Sequence, residues 1–130
     1  MPQLQLKNER GQTMVEFAFV LPVLALLLFG VIQFGIAFNS YLTITDAARA
    51  GARKAVVSRE ASDPSGLAEQ AVRDSAGQLD QTQLKVSVSP PPWSPGSTVA
   101  VDVSYPYAIN LLGLYHFNGT MHSKVQERVE

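Results

Sequence analysis

One acid, Glu16, stands at the edge of a long apolar run in the order Gly11-Gln12-Thr13-Met14-Val15-Glu16-Phe17. From Phe17 to Thr45 no side chain is charged, and Phe17 to Ile32 is apolar apart from the breakers Pro22 and Gly30. An ionised carboxylate beside hydrocarbon is costly unless something pairs with it. Two chemistries fit this placement. In the plainer one, Glu16 marks the water interface of a membrane anchor and snorkels toward the headgroups. In the other, the polar segment Lys7-Asn8-Glu9-Arg10-Gly11 is removed by a peptidase cutting after Gly11. That cut exposes the amine of Gln12 and leaves Glu16 as the fifth residue of the product. The processing reading is preferred, because glycine, acid and apolar run occur together at fixed spacing.

Other chemistry finds little to work with. His116 and His122 are the only histidines, the acids are scattered, and no cysteine is present to act as nucleophile or to form disulfides. Two histidines at that spacing make a poor metal site, so no metal and no cofactor are expected. The glycines form neither GxGxxG nor GxxxxGK after a strand, which gives no phosphate loop. A formal net charge of −1 argues against nucleic acid as a partner and against a polybasic membrane anchor.

The element that must carry Glu16 is a helix. At about 1.5 Å per residue, roughly 20 residues cross a ~30 Å hydrocarbon core, and Phe17–Phe38 meets that length with some tilt. A secretory signal has a shorter apolar region and a small-residue cleavage site after it, which Asn39-Ser40-Tyr41-Leu42 lacks. Pro22 is tolerable in a membrane helix and predicts a kink. Gly30 and Gly35 are places where a second helix can approach, or are simply tolerated, and Gln33 either bonds a neighbouring helix or lies near the outer interface. The helix should continue to about residue 59, since Tyr41–Ser58 lacks proline and is rich in alanine, with Leu42, Ala48, Ala52 and Ala55 on one face. Lys7 and Arg10 favour a cytoplasmic N-terminus, against a competing pull from Arg49, Arg53 and Lys54 beyond the far end.

Residues 10–22, Arg10-Gly11-Gln12-Thr13-Met14-Val15-Glu16-Phe17-Ala18-Phe19-Val20-Leu21-Pro22, together with Gly30, Gly35 and the small-residue stretch Ala47-Ala48-Arg49-Ala50-Gly51-Ala52-Arg53, resemble type IV pilin-like precursors. The closest resemblance is to the TadE-like minor pilins, or pseudopilins, of tight-adherence (Tad) pili. It is strong to about Ala55 and rests on pattern beyond. Phe17 stands where major Tad pilins usually have tyrosine, which favours a pseudopilin. The resemblance implies removal of the leader by an inner-membrane prepilin peptidase, with Gly11 and Gln12 as the processing residues. It further implies packing of the exposed helix with other pilin subunits and the Tad assembly machinery, with Glu16, Phe17, Pro22, Gly30 and Gly35 as assembly residues. In an apolar bundle the new α-amino group, an ordinary cation near neutral pH, can pair with Glu16 of a neighbouring subunit. Loss of one partner costs roughly 3–5 kcal/mol if the pair is buried.

Beyond the helix, Ser62-Asp63-Pro64-Ser65-Gly66 reads as a turn and Leu67–Leu79 as a short second helix with Gly77 near its C-cap. The period then changes to two: Leu84, Val86 and Val88 form one half-buried strand and Val99, Val101 and Val103 another. Pro90-Pro91-Pro92-Trp93-Ser94-Pro95-Gly96 between them is too proline-rich to pair, and Trp93 either touches a partner or folds back over the core. Tyr105–Phe117 is a second apolar concentration, too short to span a bilayer. Tyr105, Tyr107, Leu111, Leu112, Tyr115 and Phe117 in it are candidate interface residues, with a self-covering loop as the alternative. Asn118-Gly119 predicts a turn into a last strand from Thr120 to Val129.

The expectation is an α+β protein. A leader spans residues 1–11, a long N-terminal α-helix residues 12–59 with its transmembrane part at 17–38, and a small exported head with about three antiparallel strands residues 60–130. It is expected to be a non-enzymatic, structural subunit supporting assembly of an adhesive surface pilus. It would be held in membrane lipid as a single-pass protein of the bacterial inner membrane with its head outside, and could form a homo-oligomer or filament. A major filament subunit and a membrane-anchored binding module are the alternatives.

Overall fold

The computed structural model describes residues 6–130 and gives an α+β protein. Most of the expected leader lies within α1, and its first five residues lie outside the described ones. The chain runs through α1 (Leu6–Val57), α2 (Pro64–Ser75), β1 (Lys85–Val88), β2 (Thr98–Leu111) and β3 (Tyr115–Arg128). The three strands form one antiparallel sheet in the order β1-β2-β3.

Helix α1 is continuous over 52 residues and passes through Pro22. At 1.5 Å per residue it is about 78 Å long. Its first half touches little. Its second half packs one face, Ile44, Ala47, Ala48, Ala52 and Ala55, against the head. These positions recur every three or four residues, so a single stripe of small side chains lets other elements come close. Leu42, expected on that face, is instead exposed, because at 3.6 residues per turn it falls on the opposite side of the helix from Ile44. Ala68, Val72 and Ala76 meet the stripe from α2, and Val99, Val101 and Val103 from β2. Each such valine contributes about 1.5–3 kcal/mol on full burial, so a cysteine-free head can be held by this core.

The second helix starts three residues earlier than its apolar spacing suggests. Asp63 caps it, its Oδ1 accepting from the Gly66 N–H at 2.9 Å, and Pro64 occupies the first helical turn, where its missing N–H costs nothing. The segment expected to be a free turn is therefore the helix start. The C-cap is Ala76, not Gly77.

The largest departure from expectation is the length of the hairpin. β2 and β3 are each 14 residues long and pair without interruption from Thr98↔Arg128 to Leu111↔Tyr115. The apolar concentration at Tyr105–Phe117 is thus the distal part of this hairpin, not an irregular patch. Asn118-Gly119 lies inside β3 rather than at a turn. The reversal falls at Leu112-Gly113, both at positive φ (54° and 78°), with the Leu114 N–H donating to the Leu111 carbonyl at 2.9 Å. That geometry is a type I′ turn, whose twist matches the strands it joins. Asn110 supports it, its Oδ1 accepting from the Gly113 N–H at 2.9 Å.

Candidate functional site

At the N-terminal end of α1, Gly11, Gln12 and Glu16 all lie within unbroken helix and are exposed. Glu16 Oε1 accepts from Gln12 Nε2 at 3.4 Å, one helical turn away. Thr13 Oγ1 donates to the Glu9 carbonyl at 2.9 Å, which satisfies its hydroxyl locally. Among the described residues, Glu16 forms no ion pair within the chain. Its carboxylate stands on the rod next to Phe17, which is 59 % exposed, and is free to meet a cation from outside.

The apolar run above Glu16 is long and apolar enough to cross a bilayer, and no residue of its most hydrophobic stretch is fully buried. Pro22 is exposed, as are Phe17, Phe19, Leu27 and Phe34, so this surface is left for lipid or for other helices. Gly35 has open space at its Cα. Gly30 does not: a side chain built there would come 4.0 Å from Leu111 Cδ2. The close neighbour of Gly30 within this chain is the hairpin, not a second helix.

The hairpin brings most of the candidate interface residues to one side of α1. Alternation places Tyr105, Tyr107, Ile109 and Leu111 on the same face of β2 as the core valines, and Tyr115, Phe117 and Met121 on the matching face of β3. Tyr107, Ile109 and Met121 line a depression against Phe34, Phe38 and Tyr41, and Leu111, Leu114 and Tyr115 line a second against Val23, Leu27 and Gly30. Tyr107 lies over Gly119, where a Cβ would sit 2.6 Å from the ring. Glycine in the middle of a strand is explained by that ring. Tyr105 is half-buried, and its Oη accepts from the Asp80 N–H at 3.3 Å. Leu112, Tyr115 and Phe117 are the most open of the set, at 49, 66 and 58 %.

Trp93 is apart from them. It is 7 % exposed, lies in the core cluster, and its indole N–H donates to the Ser89 carbonyl at 3.2 Å. The proline-rich connection folds back over the head, which removes Trp93 from the surface and from the candidate interface.

Of two further features, the small-residue stretch around Gly51 announced the first as a place of close backbone approach, and the second went unread in the sequence. Gly51 sits where α1 meets α2, so close to Val72 that no side chain fits. Thr82 donates to Asp80 Oδ1 through both its hydroxyl (2.7 Å) and its backbone N–H (3.0 Å). The hydroxyl bond, and then the backbone bond, hold the Asp80 carboxyl below its ordinary pKa by stabilising the anion. The signal for the first was present, since Gly51 falls on the same helical stripe as Ala47, Ala48 and Ala55.

Comparison with known proteins matches residues 11–53 to a family model described as TadE-like protein. The matched span begins at Gly11, contains Glu16 and the whole apolar run, and ends among the small residues that face the head. Over that span the resemblance read from the sequence holds. Neither the curated proteins nor the solved structures gave a match.

Proposed function

Proceeding from a TadE-like helix that carries a small α+β head, we propose that this chain is a minor pilin or pseudopilin of a tight-adherence pilus, cut after Gly11 and acting by packing rather than by catalysis. The observation that carries this reading is the TadE-like match over residues 11–53, which takes in the acid, the apolar run and the small-residue face together. Before assembly the helix anchors the chain in the inner membrane through residues 17–38, with the head outside. A prepilin peptidase removes the leader. The amine of Gln12 then becomes a cation, and Glu16 of an adjacent subunit is its partner.

The geometry supports that exchange. Glu16 is exposed, held only by a long bond from Gln12, followed by apolar side chains, and forms no ion pair within the chain among the described residues. In a bundle of such rods the low-dielectric surroundings strengthen an ion pair and penalise an unpaired charge, which selects the stagger that brings amine and carboxylate together. The other pilin subunits and the assembly machinery are the partners, and the pilus serves adhesion.

Mass measurement of the full-length chain extracted from membranes of cells with an active prepilin peptidase tests the reading. A chain starting at Gln12 is expected. A chain that keeps the residues up to Gly11 while still entering filaments overturns it.

A further inference from the structure

The hairpin and the bilayer claim the same stretch of α1. Leu111 in the hairpin approaches Gly30, and Leu114 and Tyr115 at the tip line one open depression with Val23 and Leu27. From Phe17 to Leu27 is about 15 Å of helix, half the ~30 Å of a hydrocarbon core. If residues 17–38 span the membrane, the docked hairpin reaches to mid-depth.

The hairpin is not built for that environment. Its outward face carries Pro106, Asn110, His116, Asn118 and Thr120, all exposed, while its apolar face is turned to the helix. This is the alternation of a sheet with one wet face. Its edges are open as well. β1 pairs with β2 only through residues 101–104, so β2 from Tyr105 to Leu111 has no strand on that side, and β3 has none along its outer side. Hydrocarbon does not accept unpaired sheet edges, because nothing there satisfies the free N–H and C=O groups. Yet the same segment is unusually free of fixed charge. Between Asp102 and Lys124, which face one another across the ladder, there is no Asp, Glu, Lys or Arg. A polar but uncharged cover suits a helix that is sometimes in lipid and sometimes not.

We propose that lipid and the distal hairpin, residues 107–119, compete for one face of α1: the hairpin stands off the helix while α1 is in the bilayer and closes onto Val23–Phe38 when α1 leaves it for the filament. This rests on the membrane and assembly reading given above. The bend falls near Tyr107↔Gly119, where a strand-interior glycine and the adjacent Pro106 weaken the ladder. Val99–Val103 and Ser123 stay fixed in the core on the head side of that point.

The absence of cysteine allows a direct test in the full chain. Leu27→Cys with Leu114→Cys places two thiols on the same groove, Val31→Cys with Tyr115→Cys gives a second pair, and Leu21→Cys reports burial of the span. Each variant is reconstituted in phosphatidylethanolamine and phosphatidylglycerol vesicles, and is also recovered from cells as material sheared from the surface. Oxidation and a bulky water-soluble maleimide are the probes, and the near-UV dichroism of Trp93 checks the head. In vesicles Leu114→Cys should react with maleimide and both pairs should lose their disulfide, while Leu21→Cys is shielded. In sheared material the pairs should cross-link. Cross-linking in vesicles with both Leu114→Cys and Leu21→Cys shielded would mean that the hairpin enters lipid, which overturns the proposal but leaves the span standing. A reactive Leu21→Cys in vesicles overturns the span and the proposal together. Failure to cross-link in sheared material, or absence of the chain from it, overturns the closing step.

Discussion

Gly51 of α1 and Val72 of α2 occupy a space in which only one of them can carry a side chain. A Cβ at Gly51 would press into the Val72 methyl and come 3.2 Å from the Ala68 carbonyl oxygen and 3.4 Å from Val101 Cγ1. The joint between helix, helix and sheet is set by this approach. Gly51→Ala should therefore destabilise the head by about 1–3 kcal/mol through overpacking, despite alanine's better helix propensity. Thermal melting followed by Trp93 near-UV dichroism measures it, and adding Val72→Ala should recover part of the loss.

Leu112 is the one non-glycine residue with positive φ among the described residues. A left-handed conformation costs a branched side chain about 1–2 kcal/mol, and asparagine or glycine less. Leu112→Asn should therefore stabilise the hairpin by up to about 1 kcal/mol, read as slower amide exchange for β2 and β3. Unchanged exchange would mean that the leucine is compensated by contacts of its own.

Asp80 titrates below the ordinary carboxylate value because Thr82 bonds its anion, first through the hydroxyl and then through the backbone. A group depressed in the folded state contributes stability above its unfolded value and loses it as pH falls through the folded one. Thr82→Val removes the larger bond and keeps the smaller. The Asp80 midpoint, followed by carboxyl carbon NMR, should move up toward the usual range without reaching it, and the acid-side contribution should shrink.

Glu16→Gln keeps the size and the bond geometry to Gln12 while removing the charge. If the carboxylate pairs with a neighbour's amine, the variant should insert in membranes like the parent yet fall out of sheared filaments, a loss on the order of the 3–5 kcal/mol of a broken buried pair. Equal incorporation of parent and variant would remove the ion pair from the assembly step.

The long helix and the three-stranded sheet were legible because hydrophobic period is a local property: a charge-free run announces α1, and alternation at Val99, Val101 and Val103 announces β2. The same alternation continues through Tyr105, Tyr107, Ile109 and Leu111, but Pro106 and the aromatic crowding mask it, so the hairpin looked half its length. Asn118-Gly119 carries a strong turn signal. It yields to a relation no local pattern contains, the Tyr107 ring lying over Gly119 from the opposite strand. Trp93 illustrates the same limit, since its burial depends on where a proline-bound loop folds back. The closeness of Leu111 to Gly30 joins residues far apart in sequence and could be read only from the assembled fold.

The stretch without fixed charge has a consequence for how contacts made there respond to solution conditions. Between Phe17 and Thr45 on the rod, and between Asp102 and Lys124 on the hairpin, there is no permanently charged side chain for counter-ions to shield. Any sensitivity to ionic strength should thus originate at the two extremities, in Glu16 at one end and the arginines and acids of the head at the other. The middle would hold equally in fresh and saline surroundings.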